Sequence, residues 1–463
     1  MLKPYNEYRY FGLPWLEEVP SHWTMMRNKN VLIEKKEVVG SSSNNYLLLS
    51  LTLNGVIARD MINAKGKFPK DFNTYKVVEP GNLIFCLFDI DETPRTVGLS
   101  PLNGMITGAY DVFQPVNING KYLYYYYLSI DNVKGLKPLY TGLRKVINIQ
   151  TFLGTKLPVP PKEEQNQIVR FLDWKLAKIN KLIRAKKKQI ALLNEQRQAI
   201  INNIVTKGLD SHAKLKKSGI PGLGSVPSTW CVKPLKYWAK SNLQSLNSST
   251  EADFEFDYLD ISSVGFGYVK QEPVHYRFDE APSRARRVVK YGDTIISTVR
   301  TYLRSMCFID HDIEHCIVST GFSVLSPIKE TVLPEILSYA LSSDYFVNEV
   351  IKNSIGVSYP AINDKKLLSL KVALPSTIEE QLQLYNEIKT KTTLLDKGIL
   401  SIKQQVTRLE EYRTRLISDV VTGKVDVRYI EIHEYEANSD ETIDDEIDDN
   451  IFLDEEGGEM EVE

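Results

Sequence analysis

EEQNQIVRFLDWKLAKINKLIRAKKKQIALLNEQRQAIINNIVTKGLD, residues 163–210, recurs as EEQLQLYNEIKTKTTLLDKGILSIKQQVTRLEEYRTRLISDVVTGKVD, residues 379–426. The two align without a gap at a constant offset of 216: Gln165 over Gln381, Lys187 over Lys403, Glu195 over Glu411, Arg197 over Arg413. Apolar residues fall three or four apart in each copy. They are Ile179, Ile183, Ile190, Leu193, Ile200 and Ile204 in the first, and Leu395, Ile399, Ile402, Val406, Leu409, Leu416 and Val420 in the second. A stripe with a period near 3.5 predicts a long helix that buries one seam against a partner helix. Some 44 residues of helix would span about 65 Å. Neither helix can bury its stripe alone, so each is the expected partner of the other, as an antiparallel coiled coil. An ordinary bundle pair is the alternative; the narrow stripe and the charged remaining faces favour the coiled coil.

The helix starts are marked. Pro160 and Pro161 precede the first, and Thr377 with Glu380 form a capping box at the second. Glu163, Glu164, Glu379 and Glu380 lie where the helix dipole favours negative charge. Gly208 is the expected stop of the first helix.

The repeat reaches further. GLPWLEEVPSHW (12–23) and GIPGLGSVPSTW (219–230) share G-[LI]-P-x-L-x-x-V-P-S-x-W at an offset of 207. These rigid leading segments end in Trp23 and Trp230, read as core-packing residues. A globular block follows each. The first carries the runs YLLLSLTLNG, GNLIFCLF, AYDVFQPV and YLYYYYLSI; the second carries FDYLDISSVG, GDTIISTVR, GFSVLSPI and LSYALSS. These read as short strands with some helix, an α+β arrangement. GNLIF (81–85) matches GDTII (292–296), and TGAYDVFQP (107–115) resembles STGFSVLSP (319–327). Each block ends in a loop, GLRKVIN (142–148) or GVSYPAIN (356–363). The predicted organisation is a pseudo-two-fold repeat: block 1–158, long helix 159–210, block 211–374, long helix 375–428, and a tail 429–463 expected to be disordered.

The 463 residues exceed one ordinary core. No apolar run is long enough to span a membrane, the N-terminus lacks a signal-peptide layout, and the four cysteines form no CxxC. A reduced, cytoplasmic setting is expected. The net charge of −2 conceals an asymmetry. Residues 431–463 hold 16 acidic and no basic residues, so the rest carries 57 basic against 43 acidic, a net of +14. A basic body with an acidic tail fits a polyanion binder. The tail reads as a solubilising end or, alternatively, as a phosphate mimic.

Catalytic motifs are missing: no GxxxxGK[ST], no glycine-rich nucleotide or S-adenosylmethionine turn, no NPPY or DPPY, no GxSxG, no HExxH. Cys307, His311, His315 and Cys316 are close in sequence, but adjacent strand residues point to opposite faces, so no metal site is expected. The positive evidence concerns DNA. Lys65, Lys67, Lys70, Arg95, Arg144 and Lys145 in the first block are candidate contacts. So are Arg284, Arg286, Arg287, Arg300, Tyr302, Arg304 and Tyr359 in the second. Basic side chains interleaved with Tyr, Ser, Thr and Asn on loops suit phosphate contacts with base-edge reading. Two divergent blocks on paired helices would read a split, asymmetric target, with helix length setting the spacing.

The duplicated frame, the block end PVPPKEEQ and the VTKG-like helix ending resemble the specificity subunit of type I restriction–modification enzymes, over residues 12–426. That resemblance implies two target recognition domains, each followed by a conserved long helix, the helices pairing antiparallel. It implies a bipartite DNA target and no catalysis by this chain. Two modification (methyltransferase) subunits would supply S-adenosylmethionine-dependent adenine methylation, and restriction subunits ATP- and Mg-dependent translocation and cleavage. This chain itself would bind no cofactor. The second half departs from the first in an extra residue between Pro375 and Gln381, in VTGKVD for VTKGLD, and in the acidic tail. A coiled-coil adaptor without DNA readout, and a self-contained nuclease or methyltransferase, are the alternatives.

Overall fold

The computed structural model describes residues 3–59, 71–140, 145–311, 315–357 and 359–432. The acidic segment 433–463 therefore lies outside the described residues, as do Lys65, Lys67, Lys70 and Arg144. The α-helices in chain order are α1 (Gly120–Asp131), α2 (Ile149–Gly154), α3 (Lys162–Lys207), α4 (Pro334–Leu341), α5 (Asp344–Lys352), α6 (Asp364–Ser369) and α7 (Ile378–Val421). The duplicated stretches are α3 and α7, of 46 and 44 residues. The described residues divide into two compact units, one within 3–187 and 404–432 and the other within 188–403. The chain crosses between them inside α3 and again inside α7. None of the described helices is long and apolar enough to cross a membrane.

The first unit holds a four-stranded antiparallel sheet in the order Leu32–Lys35, Asp111–Pro115, Leu83–Phe85, Val97–Leu99. Phe85, Phe113, Tyr127 and Phe152 pack edge-on or tilted in its core. The strand Thr24–Arg27 pairs with Lys156–Val159, which leads into α3. The second unit repeats this plan. Its four-stranded sheet runs Ala239–Ser241, Phe322–Pro327, Thr294–Ser297, Met306–Phe308, the same topological order. Trp230–Pro234 pairs with Lys371–Pro375 ahead of α7. The matched fragments GNLIF/GDTII and YDVFQP/FSVLSP thus supply the two middle strands of each sheet. The second unit adds another four-stranded sheet, in which Glu255–Leu259 and Cys316–Ser319 run parallel.

Two of the apolar runs supply helical parts of the blocks. YLYYYYLSI lies in α1, where the Asn119 side chain accepts from the backbone N–H groups of Lys121 (3.0 Å) and Tyr122 (3.2 Å). β-Branched residues are absent until Ile130, and almost every residue from Tyr122 on is buried, so no polar face betrays the 3.6-residue period. The LSYAL of LSYALSS lies in α4, which Pro334 opens at its first turn.

Within each unit the long-helix stretches run antiparallel. In the first, Arg413 donates to the Asn180 side chain (3.1 Å), while Gln167, earlier in α3, donates to the carbonyls of Val427 and Ile430, beyond the end of α7. Ile179, Ile183, Val406, Leu416 and Val420 are buried in that unit's core, with Leu409 half-buried against it. In the second, Ile190, Ile399 and Ile402 form a buried cluster with Leu193, and Arg197 pairs with Asp396 at 2.8 Å. Ile204 is buried, whereas Ile200 and Leu395 are half-buried; Ile201, one residue off the predicted seam, is nearly inaccessible. Ile168, Phe171, Leu172 and Leu176 dock the first turns of α3 onto their own domain rather than onto α7 alone.

Each long helix begins on the same Trp–Glu pair. The Trp23 indole N–H donates to Glu164 and that of Trp230 to Glu380, both at 2.8 Å. The Glu380 backbone N–H reaches Thr377 Oγ1 at 3.3 Å, the forward half of the expected capping box, but the Glu380 carboxylate is taken by Trp230. Gly208 and Gly423 follow the helices at φ +74° and +78°. A Cβ on Gly423 would stand 2.3 Å from Pro20 Cδ, whereas one on Gly398, in the middle of α7, would meet nothing within 4 Å. Gly423→Ala should therefore destabilise the protein by about 1–3 kcal/mol, and Gly398→Ala should stabilise it by about 0.5–1 kcal/mol. Denaturant titration of the two variants checks the opposite signs.

Candidate nucleic-acid interface

In the second unit the strand Thr294–Ser297 leaves the sheet into a loop held at three points. The Thr298 N–H donates to the Gly321 carbonyl and the Ile362 N–H to the Thr298 carbonyl, both at 2.8 Å. Val299 bridges Ala361, and the Ser297 N–H closes the loop on the Ser305 carbonyl. Between these anchors Arg300 (φ +48°) and Arg304 (φ +56°) flank the 3-10 turn Thr301–Leu303. A left-handed backbone is uncommon for residues other than glycine and clusters where a loop is held to a purpose. Thr301 faces inward, its hydroxyl 2.7 Å from that of Ser354. Arg300, Tyr302 and Arg304 face solvent.

The second loop of the surface is 354–361, laced to the first through Ser354 and Ala361. It exposes Tyr359 (65%) and Val357 fully. The Arg300 guanidinium lies 4.7 Å from the centre of the Tyr359 ring, a cation–π contact that holds the cation at the surface while leaving its donors available. Of the candidates named from sequence, the fold thus gathers Arg300, Tyr302, Arg304 and Tyr359 on one surface.

It disperses the others. Arg287 is mostly covered; it donates to the Asn242 side chain at 2.8 Å and to the Phe322 carbonyl, and pairs with Asp364 at 3.4 Å. Arg286 sits 4.6 Å from the Phe278 ring centre and donates to the neighbouring Ala285 carbonyl. Arg284 is exposed. In the first unit Arg95 is held by Asp131 at 3.0 Å and Asn132 at 3.1 Å, and Asp131 also accepts from Thr96 and Lys134. Lys145 pairs with Glu92 and, at 3.3 Å, with Asp91; the Glu92 hydrogen bond and then that of Asp91 push its ammonium up to about 12. Of the grouped Cys and His residues, Cys307 and Cys316 are core side chains whose thiols burial pushes up to about 11 and about 12. His311 faces Asp310, and His315 packs edge-on to Phe254.

The loops of the first unit follow the same path. Leu87 accepts from the Ile147 N–H at 2.7 Å, Phe88 bridges Val146, and Asp89 takes φ +43°. The surface beyond differs. Tyr140 donates to Asp91 at 2.8 Å, and that bond, with Lys145 beside it, holds the Asp91 carboxyl below its usual range. A reading guided by basic residues passes over Asp89; the fragment match GNLIF/GDTII, continued by four residues, would have placed it over Arg300.

The domain family described as the type I restriction modification DNA specificity domain matches residues 107–192. The chain is 29% identical over 296 residues to the MjaVIII specificity subunit of a type I restriction enzyme from Methanocaldococcus jannaschii, covering 62% of this chain and 66% of that protein. It is 27% identical over 153 residues to the HindI specificity subunit from Haemophilus influenzae, covering 31% and 33%. The match thus spans just under two thirds of the first relative. A solved structure described as the structural basis of complex assembly and conformational transition of the type I R-M system aligns with 88% of this chain and 99% of its own, with a TM-score of 0.56 at 16% identity. That likeness is one of fold.

The buried and exposed arginines should separate experimentally. Arg287→Ala removes one donor each from the Phe322 carbonyl and from the Asn242 and Asp364 side-chain oxygens, which keep their bonds from Val324 and Asn242, and should cost about 1–3 kcal/mol. Arg300→Gln and Arg304→Gln should stay within about 0.5 kcal/mol of the parent protein. Thermal unfolding of the three variants checks this; a similar loss in all three would place the loop arginines in the fold rather than at its surface.

Proposed function

We propose that the chain, similar to specificity subunits of type I restriction enzymes, is the DNA-reading subunit of such a complex and recognises a bipartite, asymmetric target. The observation that carries this reading is the duplicated frame with divergent surface loops. Two units share a sheet order and a helix-start anchor, yet present different side chains at equivalent loops. A symmetric dimer reads a palindrome because both halves are identical; an internal duplication whose halves differ reads two unlike half-sites.

In this reading Arg300, Tyr302, Arg304 and Tyr359 meet the half-site of the second unit. Arginine supplies forked donors for guanine or phosphate, and tyrosine a flat apolar face with a polar tip. The chain is non-catalytic. Two modification subunits carry adenine methylation with S-adenosylmethionine, and restriction subunits carry the ATP-driven steps. The long helices, through which the chain passes from one unit to the other, fix the gap between half-sites and carry the partners.

Methylome sequencing of a host with this chain and its modification subunits, against a deletion of this chain, tests the function. A split adenine-methylated motif should vanish on deletion. A purified complex that binds no DNA selectively would point instead to a coiled-coil adaptor. Arg304→Ala should weaken recognition of one half-site and leave base preference in the other intact; equal loss in both would sink the assignment. Inserting one helical turn into both α3 and α7 should alter the gap between half-sites, read by the same sequencing, and an unchanged gap would contradict the spacer role.

A further inference from the structure

Asp89 and Arg300 occupy the same place in the two units. Each lies four residues beyond the end of a matched fragment, GNLIF or GDTII. Each follows a residue that bridges the second loop, Phe88 to Val146 and Val299 to Ala361. One step earlier, the carbonyls of Leu87 and Thr298 accept from Ile147 and Ile362, at 2.7 and 2.8 Å. Each then turns left-handed, at φ +43° and +48°. The second loops end alike: Asn148 and Asn363 follow those isoleucines and cap α2 and α6 with their side chains. Both Asp89 and Arg300 are exposed.

The Asp89 backbone is fully committed. Its N–H donates to the Lys145 carbonyl at 2.8 Å, and its own carbonyl accepts from Glu92, Thr93 and the Thr93 hydroxyl. Its carboxylate, among the described residues, has no ion pair or hydrogen bond, unlike Asp91 two positions on.

We propose that the two units read their half-sites through these equivalent positions with opposite hydrogen-bonding character, Asp89 accepting from a base and Arg300 donating to one. The proposal rests on the DNA-reading function above and deepens it. A carboxylate on a DNA-facing loop gains nothing from phosphates, which repel it. In the major groove it can accept from the exocyclic amino group of cytosine. Arginine at the matching position presents two donors to the O6 and N7 atoms of guanine. A left-handed residue anchored on both sides holds its side chain at a defined angle, and base reading requires that where phosphate attraction does not. The chemical class assigned to Asp89 is therefore an amino-bearing base, and to Arg300 a guanine.

Selection from randomised duplexes tests this, using the full chain in complex with its modification subunits. Asp89→Ala should relax one position in one half-site, and Arg300→Ala one position in the other, each losing about 5- to 150-fold discrimination. Asp89→Asn and Arg300→Gln should each move the preferred base towards adenine, because a side-chain amide matches the adenine N6 and N7 atoms. These shifts cannot come from misfolding, which would erase preference rather than change it. Unaltered preference at every position with uniformly weaker binding overturns the proposal, as does a change by both variants in the same half-site. A parent complex that selects no sequence at all would defeat the DNA-reading function itself, and this inference with it.

Discussion

A carboxylate that takes an indole N–H at the start of each long helix, buried in the first and half-buried in the second, holds the frame together. Glu164 is almost completely enclosed. An isolated carboxylate there would be costly to bury, but it lies in the first turn of α3, where unpaired backbone N–H groups favour negative charge. It accepts from the Trp23 indole at 2.8 Å and from the Tyr5 hydroxyl at 2.6 Å, and His22 stands 2.8 Å away. Burial, together with Glu164 itself, drives the Tyr5 hydroxyl far above its ordinary range, so it remains a donor. The adjacent glutamine completes the joint. Gln165 donates to the Pro160 carbonyl and accepts the Asn119 N–H, both at 2.8 Å. Gln381 does the same with the Pro375 carbonyl at 3.1 Å and the Leu333 N–H at 2.8 Å. Asn119 and Leu333 are themselves the N-caps of α1 and α4. One Glu-Gln pair therefore ties three things in each unit: the leading tryptophan, the first domain helix and the long helix.

This joint explains why so much of the plan was legible. A repeat at constant offset survives where a buried hydrogen-bond network admits few substitutions, and Trp23/Trp230, Glu164/Glu380 and Gln165/Gln381 are such positions. The chemistry of the tryptophans was only half legible: their burial follows from composition, but the indole-to-carboxylate bond joins residues 141 and 150 positions apart. Helical seams announced themselves through period, though Ile201 carries more burial than the half-buried Ile200 because domain packing joins the seam there. The tyrosine run of α1 could not be told as helix or strand from sequence, because burial on nearly every side removes the alternation on which such reading depends.

The candidate interface was less legible for a reason of the same kind. Counting cations treats Arg287 and Arg300 alike. Arg287 lies on a sheet edge next to Asn242 and Asp364 and spends its donors there, whereas Arg300 is lifted out by a left-handed turn. The partners that consume Arg95 and Lys145 are carboxylates at Asp131, Asp91 and Glu92. Net positive charge is a property of the whole body, but each cation's availability is decided by one or two neighbours brought in by the fold.

The division of labour between frame and loops follows from where the free energy resides. The frame is stabilised by buried apolar area and by the network at each helix start, so its residues are constrained and recur. The loops contribute little to that stability, because their outward side chains leave the core untouched. They need only anchors: Ile147 and Ile362 donate back into the first loop, Asn148 and Asn363 cap the next helix, and Thr301 fills the interior beneath its turn. Once those are met, the exposed positions between them can carry a carboxylate in one unit and a guanidinium in the other at almost no cost to folding. A duplicated chain built this way can change what one half recognises without disturbing the other half or the helices that join them.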